Sequence, residues 1–369
     1  MDWPSGPLTR RQALKGGALA LAAAGTTQLV RLRPRSPHTA VARSGPARCV
    51  TLGAGGVINP GSSQDYRNCR TFLRETRTNW VRIWADWPSL QPEAERSPDA
   101  GSGAWRLAEL DKQVAAARAD GVRVILTSYR YPLPSNFGTG SAWAGWIDFL
   151  LSRYGGGEIA GLELVNEPNS QVTPAGSAHQ AVAQMFETAQ SIAAAQPRPP
   201  LLVGPGTSDT ERSSASSVPH NAFTRLLLDE LDRIGFVPGA SFAWTHHNYT
   251  DVELDRDKGA RLTRELLTGR WAGWPRGDAA HPVILIPEGG ARLTKIAEVY
   301  GLSDPAQTRA LQAKLVRRNW ERMSRQHWAA MLGQYLFYSD PNFDCGLCEV
   351  DGTKRPAFAT WAALRTASA

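Results

Sequence analysis

The chain has 369 residues, of which 42% are hydrophobic and 20% are charged, with 34 Gly and 25 Pro. This composition excludes a disordered chain, a collagen-like fibre and a small disulfide-stapled protein, while the length allows one large barrel or two ordinary domains. The formal net charge is +7, but most of the excess falls within residues 1–42 and no dense run of Lys or Arg follows, so no nucleic-acid partner is expected.

The N-terminal segment has the features of an export signal. Residues 9–15 read Thr-Arg-Arg-Gln-Ala-Leu-Lys, which resembles the twin-arginine signature except that Ala13 replaces the usual large apolar residue. An apolar stretch over residues 16–30 is short for a membrane span, and Ala-Val-Ala at 40–42 resembles a cleavage site. A basic, alanine-rich tail is the alternative. We predict a twin-arginine-type signal peptide over residues 1–42 and a secreted or cell-surface protein with no stable membrane span in the mature chain.

From residue 48 onward, short β-rich apolar runs alternate with longer stretches of helical periodicity. The eight predicted strands span residues 49–54, 80–84, 122–128, 159–166, 201–204, 242–247, 282–287 and 333–338. The predicted helices span residues 65–76, 106–119, 142–154, 177–195, 221–234, 254–267, 305–325 and 356–365. The first helix places Tyr66, Cys69 and Leu73 on one face, as a helix packed outside a sheet requires.

Eight βα units in one unbroken series predict an α/β fold, the closed (β/α)8 or TIM barrel. No Pro- or Ser-rich linker divides the rest of the chain, so residues 43–369 are expected to form a single domain. The expected oligomeric state is a monomer. An open doubly wound sheet is the alternative. It fits less well because the glycine-rich segment 53–58 has Ile58 where a dinucleotide-binding loop needs its third glycine, which favours a turn.

Two glutamates follow predicted strands, where a (β/α)8 barrel gathers its functional side chains. Glu167 follows strand four in Leu-Val-Asn-Glu-Pro-Asn, and Glu288 follows strand seven in Leu-Ile-Pro-Glu-Gly-Gly. Strands four and seven lie three steps apart in an eight-membered ring, so the two carboxyls are expected to face each other. Such a pair, about 5–5.5 Å apart, can cleave a glycosidic bond as nucleophile and acid/base. Their pKa values must then differ, through a cation or donors near one and apolar surface near the other.

The segment Asn166-Glu167-Pro168 and Glu288 resemble clan A, the retaining (β/α)8 glycoside hydrolases that include cellulases, mannanases and β-xylosidases. The resemblance implies that Glu167 is the acid/base, that Glu288 is the nucleophile and that Asn166 holds the sugar 2-hydroxyl. Arg82, in Trp-Val-Arg-Ile-Trp at the end of strand two, matches the arginine that lies beside the nucleophile in this clan. There it would keep Glu288 ionised, whereas a surface ion pair is the alternative.

His247-Asn248-Tyr249 at the end of strand six resembles the H-x-Y element of the same clan. The resemblance implies that the hydroxyl of Tyr249 approaches the nucleophile and that His247 contacts the sugar or the acid/base. The adjacent His246 and His247 also raise the possibility of a metal site. Neighbouring strand residues point to opposite faces, however, and no H-x-H or H-E-x-x-H motif occurs, so we predict no metal and no cofactor.

Twelve of the 13 Trp follow residue 42, and several lie at predicted strand ends or βα loops. Indole faces stack on the apolar faces of pyranose rings, so a Trp-lined cleft would suit an oligosaccharide. Trp84 and Trp87 share the end of strand two with Arg82 and are expected to bind the sugar. For most of the others, packing in the core or on a helix face is the better interpretation.

Two segments depart from the clan pattern. The end of strand three reads Ser-Tyr-Arg-Tyr at 128–131, where cellulase-like members usually have a His. The predicted strand eight continues as Leu-Phe-Tyr-Ser-Asp at 336–340, where many members have a Trp beneath the sugar. Both positions shape the subsite beside the scissile bond, so the resemblance implies the reaction but leaves the sugar open.

Four cysteines follow the signal segment: Cys49, Cys69, Cys345 and Cys348. In an oxidising compartment they can form one or two disulfides, with three possible full pairings. The C-x-x-C spacing of the last two matches zinc or redox sites, but there is no second C-x-x-C and no thioredoxin-like context. A disulfide that staples a loop is the expected use.

These observations predict an exported retaining β-glycosidase that hydrolyses O-glycosidic bonds of a poly- or oligosaccharide with two Glu residues. A non-catalytic carbohydrate-binding barrel is the alternative from another class. A cell-wall acyl or ester hydrolase is a third possibility, and the lack of a G-x-S-x-G nucleophile elbow counts against it.

Overall fold

The computed structural model of the chain describes residues 46–53, 62–90, 102–129, 141–170, 178–214, 217–239, 241–271 and 283–364. The predicted signal segment lies outside these residues, so its boundary at residue 42 stays a prediction. In the described part of the chain, every helix falls short of the length and apolarity needed to cross a bilayer.

Eight strands and eleven helices form the described part of the chain. The strands are β1 Ala47–Leu52, β2 Trp80–Asp86, β3 Arg123–Tyr129, β4 Gly161–Glu163, β5 Leu201–Thr207, β6 Phe242–His246, β7 Ile284–Ile286 and β8 Ala329–Tyr335. The helices are α1 Tyr66–Thr76, α2 Trp87–Leu90, α3 Ser102–Ala119, α4 Ser141–Tyr154, α5 Ala178–Ala194, α6 His220–Ile234, α7 Tyr249–Glu253, α8 Lys258–Arg270, α9 Leu293–Tyr300, α10 Pro305–Met323 and α11 Pro356–Ala363.

All eight strands are parallel and close into a barrel in chain order, with β8 paired to β1. The register places Thr51 of β1 beside Arg82 of β2, and Thr127 of β3 beside Glu163 of β4. Parallel neighbours require a crossover after each strand, and the helices on the outside of the barrel supply these crossovers. The predicted TIM barrel is therefore confirmed.

The interior of the barrel has an apolar floor and a polar upper layer. The floor consists of six buried side chains from six strands: Cys49, Ile125, Val203, Ala243, Leu285 and Met331. Two positions further along β1 and β3, the inward side chains are Thr51 and Thr127, because strand side chains alternate between faces. Arg82 and Glu163 lie in the same polar layer, and both are fully buried. This layer supports the carboxyl-end mouth of the barrel.

Helix α1 illustrates how the outer layer forms. The carboxyl of Asp65 caps it by accepting a hydrogen bond from the backbone N–H of Arg67 at 2.8 Å. Tyr66, Cys69 and Leu73 are buried, as their spacing predicts. These three side chains join the large cluster that packs the helices against the outward face of the sheet.

Strand ends differ from the sequence predictions for a physical reason. The fourth strand is predicted over residues 159–166 but ends at Glu163, and the seventh is predicted to reach residue 287 but ends at Ile286. Beyond Glu163 the backbone departs from regular strand geometry, with a positive φ of 43° at Glu167. It still bonds to β5, because the N–H groups of Leu164 and Glu167 donate to the carbonyls of Val203 and Gly206. Strand β8 begins at Ala329, earlier than the predicted start at residue 333. The prediction missed its first residues because they lack β-branched side chains.

Some helices are shifted from the predicted positions or were not predicted. The short helices α2 and α7, of four and five residues, lie in βα loops and cannot show a helical period. Helix α9 has eight residues and was not predicted either. The helix predicted over residues 254–267 runs instead from Lys258 to Arg270. It begins later because residues 254–257 connect it to α7, which ends at Glu253.

Gly333 of β8 is essential to the packing of the barrel beside the mouth. A Cβ at this position would lie 1.9 Å from the carbonyl oxygen of Pro287 and 2.8 Å from the backbone nitrogen of Glu288. Since backbone atoms cannot move aside as a flexible side chain can, we expect Gly333→Ala to lower the free energy of unfolding by about 2–3 kcal/mol. Denaturant unfolding measures this loss.

Gly145 on α4 provides the matched control for this substitution. It is exposed, and a Cβ at this position would have no neighbouring atom within 4 Å. Alanine there should leave stability unchanged or raise it by about 1 kcal/mol through helix propensity. Equal stability of the Gly333→Ala and Gly145→Ala proteins would show that the β7–β8 contact is not tight.

Candidate active site

The side chains singled out in the sequence meet at the carboxyl ends of β2, β4, β6 and β7. Glu167 lies four residues beyond β4, His247 directly follows β6, and Glu288 lies two residues beyond β7. Each of the three offers one ligand atom, and these atoms lie within 4.8 Å of one another. The two carboxyls are thus close enough to act on the same bond, and their spacing is nearer to that of retaining glycosidases than of inverting ones.

Glu288 is 5% exposed and is held by two donors. Its Oε2 accepts a hydrogen bond from Nη1 of Arg82 at 2.5 Å, and its Oε1 accepts one from the hydroxyl of Tyr249 at 2.7 Å. Burial and the charge of Glu288 raise the pKa of Tyr249 well above its usual value, so the phenol keeps the proton that it donates. Both contacts fix the direction of the Glu288 carboxylate.

Arg82 is fully buried and bridges three groups of the site. Besides Glu288, its Nε donates to Oε2 of Glu163 at 2.6 Å and its Nη2 donates to Oδ1 of Asn166 at 2.6 Å. Burial works to lower the pKa of Arg82, but the charges of Glu163 and Glu288 raise it above its usual value. Since the carbonyl of Asn166 accepts from Arg82, the amide nitrogen is left to donate into the cleft.

Glu163 is a site residue that was not predicted from the sequence. It is fully buried, and its Oε2 accepts hydrogen bonds from both Arg82 and the hydroxyl of Thr127, the latter at 2.8 Å. Glu163 therefore holds the guanidinium that in turn contacts Glu288. A signal was present in the sequence, because a charged residue inside the apolar run of strand four is costly unless it is paired.

Glu167 contacts His247 rather than an apolar surface. Nδ1 of His247 lies 2.9 Å from Oε1 of Glu167 and 3.8 Å from Oε1 of Glu288. Burial raises the pKa of Glu167, but the hydrogen bond and charge of His247 outweigh burial, and the pKa is lowered. Burial lowers the pKa of His247, but the carboxylates of Glu288 and Glu167 outweigh it, and the pKa is raised.

The surroundings of the two glutamates therefore differ partly from the expected pattern. The predicted cation beside one carboxyl is present as Arg82 at Glu288. The predicted apolar surface beside the other is replaced by His247, which is fully buried. Nδ1 of His247 and Oε1 of Glu167 are close enough to exchange a proton, so the two groups are expected to titrate as one unit.

The mouth of the barrel contains a cleft of ≈ 290 Å³. Its lining residues are Trp84, Asn166, Glu167, Ser208, Asp209, Thr210, Tyr249, Thr250, Glu288, Arg292, Tyr335 and Phe343. Five of the predicted site residues are thus in the lining. Arg82 and His247 lie beneath it and contact the glutamates from below.

Trp87 is not part of this lining, so the structure does not support the sugar-binding role predicted for it. Its ring is 3% exposed and stacks on Trp146 of α4, with 6.3 Å between ring centroids. The chain turns into α2 at Trp87, which directs the side chain toward the outer helices rather than the mouth. Trp84 does line the cleft, and the guanidinium of Arg82 lies 5.4 Å from its ring.

The expected disulfide is not formed in the structure. Cys49, Cys69, Cys345 and Cys348 are all free and buried thiols. Burial raises the pKa of the Cys348 thiol to about 12, so it stays protonated at neutral pH. These cysteines act as small apolar side chains in the packing, with Cys49 in the barrel floor.

Glu167, His247 and Glu288 are also the group in the described part of the chain whose spacing could hold a metal ion. Carboxylate and imidazole are ligands that suit Zn²⁺. The same atoms hydrogen bond to one another and to Tyr249 and Arg82. The arrangement is therefore complete as a proton-transfer and nucleophile pair, and a mechanism without a metal stays a prediction.

Asp209 lines the cleft just beyond β5 and was also not predicted from the sequence. It is 4% exposed, and its Oδ2 accepts a hydrogen bond from the backbone N–H of Asp251 at 3.0 Å. Burial, together with the negative charge of Asp251, raises the pKa of Asp209 to about 8. Asp209 is thus a neutral carboxylic acid at neutral pH.

This shift predicts that Asp209 makes stability fall as pH rises. Its ordinary pKa is 3.8, so between about pH 4 and pH 8 the folded chain keeps a proton that the unfolded chain has lost. Each pKa unit corresponds to about 1.4 kcal/mol, so the loss should reach several kcal/mol by pH 8. We expect Asp209→Asn to remove it. Urea unfolding at about pH 5, 7 and 9 measures the difference from wild type, and a difference that is constant with pH would contradict the prediction.

A search of known families gives one match, to the model described as Cellulase (glycosyl hydrolase family 5), over residues 57–276. The matched stretch includes Asn166, Glu167 and His247 and ends before Glu288. None of the curated proteins matches the chain.

Solved structures with the same fold include several glycosidases. An endo-beta-1,4-glucanase triple mutant from Xanthomonas axonopodis pv. citri is 17% identical, with a TM-score of 0.58, over 86% of this chain and 98% of that one. GH5_18 from Bifidobacterium longum subsp. longum is 14% identical, with a TM-score of 0.60, over 86% and 78% of the two chains. Endo-glycoceramidase II from Rhodococcus sp. is 14% identical, with a TM-score of 0.53, over 87% and 79%.

The family match and the fold lead to the same assignment. The matched residues make up more than half of the chain, and the closed barrel is the architecture of the clan A endoglucanases and glycosidases among its structural neighbours. The chain therefore belongs to glycosyl hydrolase family 5 and is a glycoside hydrolase.

Proposed function

We propose that this chain is a retaining β-glycosidase that hydrolyses O-glycosidic bonds of a poly- or oligosaccharide by double displacement. The observation that carries the proposal is the paired environment of two close carboxyls. Glu288 accepts hydrogen bonds from the guanidinium of Arg82 and the hydroxyl of Tyr249. Glu167 lies within hydrogen-bond distance of Nδ1 of His247. One carboxyl is thus held in place by two donors, and the other lies where it can exchange a proton.

In the first step, Glu288 attacks the anomeric carbon and the bond to the leaving oxygen breaks. A covalent glycosyl ester forms on Glu288, and Glu167 protonates the leaving oxygen. Arg82 and Tyr249 hold the attacking carboxylate in line through the bonds at 2.5 and 2.7 Å. The amide nitrogen of Asn166 is available to the sugar hydroxyl next to the reacting carbon.

His247 supplies the proton that Glu167 needs. Their contact raises the pKa of His247 and lowers that of Glu167, and the 2.9 Å distance between Nδ1 and Oε1 allows a proton to pass from His247 to Glu167. As Glu288 loses its charge to the ester bond, the attraction that keeps the proton on His247 weakens. The proton is therefore released toward Glu167 as the bond to the leaving group lengthens.

In the second step, Glu167 takes a proton from water, and the hydroxide attacks the anomeric carbon. The ester bond to Glu288 breaks, and the sugar leaves with its original anomeric configuration. Glu167 passes the proton taken from water back to Nδ1 of His247 across their 2.9 Å contact. The carboxylate of Glu288 returns to its contacts with Arg82 and Tyr249, which completes the cycle.

The substrate class follows from the lining and from the neighbours. An aromatic and polar cleft such as this one suits a carbohydrate, since ring faces stack on sugars and hydroxyl groups need donors and acceptors. Two of the structural neighbours are described as an endo-beta-1,4-glucanase and an endo-glycoceramidase, and both names refer to glycosidic bonds. A β-linked glycan is the proposed substrate.

The stereochemistry of the first product tests the proposal. The purified protein is screened against a polysaccharide panel and aryl β-glycosides, and the reaction on the best substrate is followed by proton NMR. The β-anomer should appear first and mutarotate later. First appearance of the α-anomer would exclude double displacement, and the absence of any cleavage across the panel would favour a non-catalytic carbohydrate-binding barrel.

We also propose that the enzyme is exported by the twin-arginine route and acts outside the cytoplasm. The paired arginines, the short apolar stretch and the Ala-Val-Ala sequence within residues 1–42 support this. Expression of the full chain in a bacterium with a twin-arginine pathway should yield exported protein that begins at residue 43. Replacement of both Arg10 and Arg11 by Lys should keep the protein inside the cell, and unchanged export would contradict the proposed route.

A further inference from the structure

Arg292 is a cation in the cleft lining that the reaction described above does not use. It lies four residues beyond Glu288, where the chain enters α9, and it lines the cleft beside Glu288, Tyr335 and Phe343. Its side chain is 32% exposed, so it is accessible from the cleft. A rigidly held donor at this place is expected to contact whatever binds to Glu288.

The guanidinium of Arg292 is fixed on two sides. Its Nε donates to Oε1 of Glu253 at 2.6 Å, and its Nη2 donates to Oε2 of the same carboxylate at 2.8 Å. The guanidinium carbon lies 5.1 Å from the centre of the Phe343 ring. Glu253 is itself 2% exposed, so this two-point contact is shielded from water. The arrangement holds Arg292 in a single orientation.

The contact with Glu253 leaves Nη1 of Arg292 as a donor. Among the described residues, none accepts a hydrogen bond from Nη1, and this atom is not one of the buried polar atoms without a partner. An accessible guanidinium nitrogen with two N–H groups is therefore presented by a side chain of the cleft lining. Such a donor matches a hydroxyl or a carboxylate oxygen of a ligand.

The position of Arg292 indicates which part of the substrate it meets. Glu167 protonates the leaving group, so the side of the cleft formed by Glu167 and Asp209 faces the leaving sugar. Arg292 follows β7, three strands from β4 in the closed barrel, and its guanidinium packs on Phe343, which follows β8. The sugar that becomes bonded to Glu288, the glycone, therefore lies against Arg292. This step rests on the proposed function.

Aromatic rings complete this side of the cleft. Tyr335 and Phe343 have ring centroids 5.3 Å apart, and Tyr249 lies 4.9 Å from Phe343. All three rings meet nearly edge to face, which gives a stiff surface. Strand β8 lacks the Trp that the clan resemblance implies, and Tyr335 and Phe343 supply the aromatic surface in its place.

The charges favour a neutral glycone. Glu167 and Glu288 line the cleft with only Arg292 as a cation in the described lining, and Glu253 already balances that charge. A carboxylate on the sugar would meet the charges of the two glutamates in the lining, and the buried Arg82 beneath them is already paired with Glu163 and Glu288. A hydroxyl oxygen can accept from Nη1 without this repulsion.

We propose that Arg292 is a specificity-determining residue that donates a hydrogen bond from Nη1 to a hydroxyl oxygen of a neutral glycone. Glu253 is the positioning residue that holds its guanidinium. The two act together with the ring of Phe343 to select the orientation of one glycone hydroxyl. Removal of that hydroxyl from the substrate should therefore cost about as much as removal of the guanidinium.

The test combines protein variants with altered substrates. The aryl β-glycoside that wild type cleaves fastest is compared with its monodeoxy analogues. In wild type, kcat/KM should fall roughly 10- to 100-fold for one analogue, as expected for a hydrogen bond from a charged donor. The Arg292→Gln enzyme should show a similar fall in kcat/KM on the parent glycoside. Its kcat/KM should fall little further on that analogue. Arg292→Lys should restore part of the discrimination.

Further variants separate specificity from folding. Glu253→Gln should reduce the same discrimination by loosening the guanidinium. Arg309→Gln is the control, because it breaks an ion pair with Glu349 at 2.6 Å outside the cleft lining. This variant should discriminate among the analogues as wild type does. The proposal is overturned if Arg292→Gln, Arg292→Lys and Glu253→Gln all discriminate among the analogues as wild type does, or if an aryl uronide is the preferred substrate.

The same data distinguish a failure of this inference from a failure of the proposed function. If Glu167 and Glu288 are not the catalytic pair, their variants keep activity on the parent glycoside whatever Arg292 does. If the catalytic pair is correct and Arg292 has no role in recognition, the glutamate variants are inactive while the Arg292 variants keep the wild-type pattern of discrimination.

Discussion

Replacement of Glu288 by Ala should abolish turnover on every glycoside that the wild-type enzyme cleaves, with kcat reduced by at least about 10⁴-fold. The reason is structural as well as chemical. Glu288 accepts hydrogen bonds from both Arg82 and Tyr249, at 2.5 and 2.7 Å, and it lines the cleft. Glu163 also accepts from Arg82, but it is fully buried beneath the described lining and cannot replace Glu288. Steady-state kinetics on an activated aryl β-glycoside measures the loss.

Azide should restore part of this activity, because a small anion fits in the space that the side chain leaves and can attack the anomeric carbon directly. The product should be the α-glycosyl azide, since only one displacement occurs. Glu298→Gln, an exposed glutamate on α9, is the matched control and should keep wild-type rates. If Glu288→Ala retains more than about a tenth of wild-type kcat without azide, Glu288 is not the nucleophile.

Replacement of Glu167 by Ala should affect the two steps differently. For substrates with a poor leaving group, loss of the acid should reduce kcat/KM by about 10²–10⁴-fold. For an activated aryl group that leaves without protonation, kcat/KM should stay close to wild type, while kcat falls because water is no longer deprotonated. Comparison of kcat/KM across a series of aryl leaving groups measures this split, which a residue with a purely structural role would not produce.

Azide should in this case yield the β-glycosyl azide, because it attacks the covalent intermediate on Glu288 without needing a base. Glu158→Gln, an exposed glutamate that pairs with Arg118, provides the control for the loss of a surface acid. Equal losses for good and poor leaving groups would contradict the role of Glu167 as acid/base.

The barrel and most of its elements could be predicted from the sequence, because their patterns are local. Apolar runs and helical periods depend on neighbouring residues, and the eight-fold alternation then determines the class of fold. The rims were less predictable. The backbone at Glu167 adopts a positive φ, and the strand ends at Glu163, because contacts across the mouth determine where the chain leaves the sheet.

The two glutamates at the centre of the site could also be predicted from the sequence, whereas some of the residues that surround and hold them could not. Glu167 and Glu288 follow strands and precede chain-breaking residues, and the structure brings them together. Arg292 and Asp209 lack such local signals, and Glu163 shows only a charge within an apolar run. The roles of these residues depend on partners from other elements of the fold. Trp87 was predicted to bind the sugar, but its ring stacks on Trp146 at the start of α2, outside the described cleft lining.

The cysteine prediction was wrong for a similar reason. Cysteine number and compartment indicate whether disulfides are allowed, but pairing depends on the separation and direction of the side chains. Cys49 lies in the barrel floor, enclosed by apolar side chains from other strands. Its burial could not be distinguished in the sequence from that of a disulfide-bonded cysteine.

The most direct test of the account is covalent trapping with a 2-deoxy-2-fluoro β-glycoside that carries an activated leaving group. Such a compound should glycosylate the enzyme quickly and release slowly, so intact mass spectrometry should show one added sugar for each chain. Peptide mapping should place that sugar on Glu288. Rapid turnover of an ordinary glycoside without any adduct, or an adduct on a different residue, would contradict the proposed roles of the two glutamates.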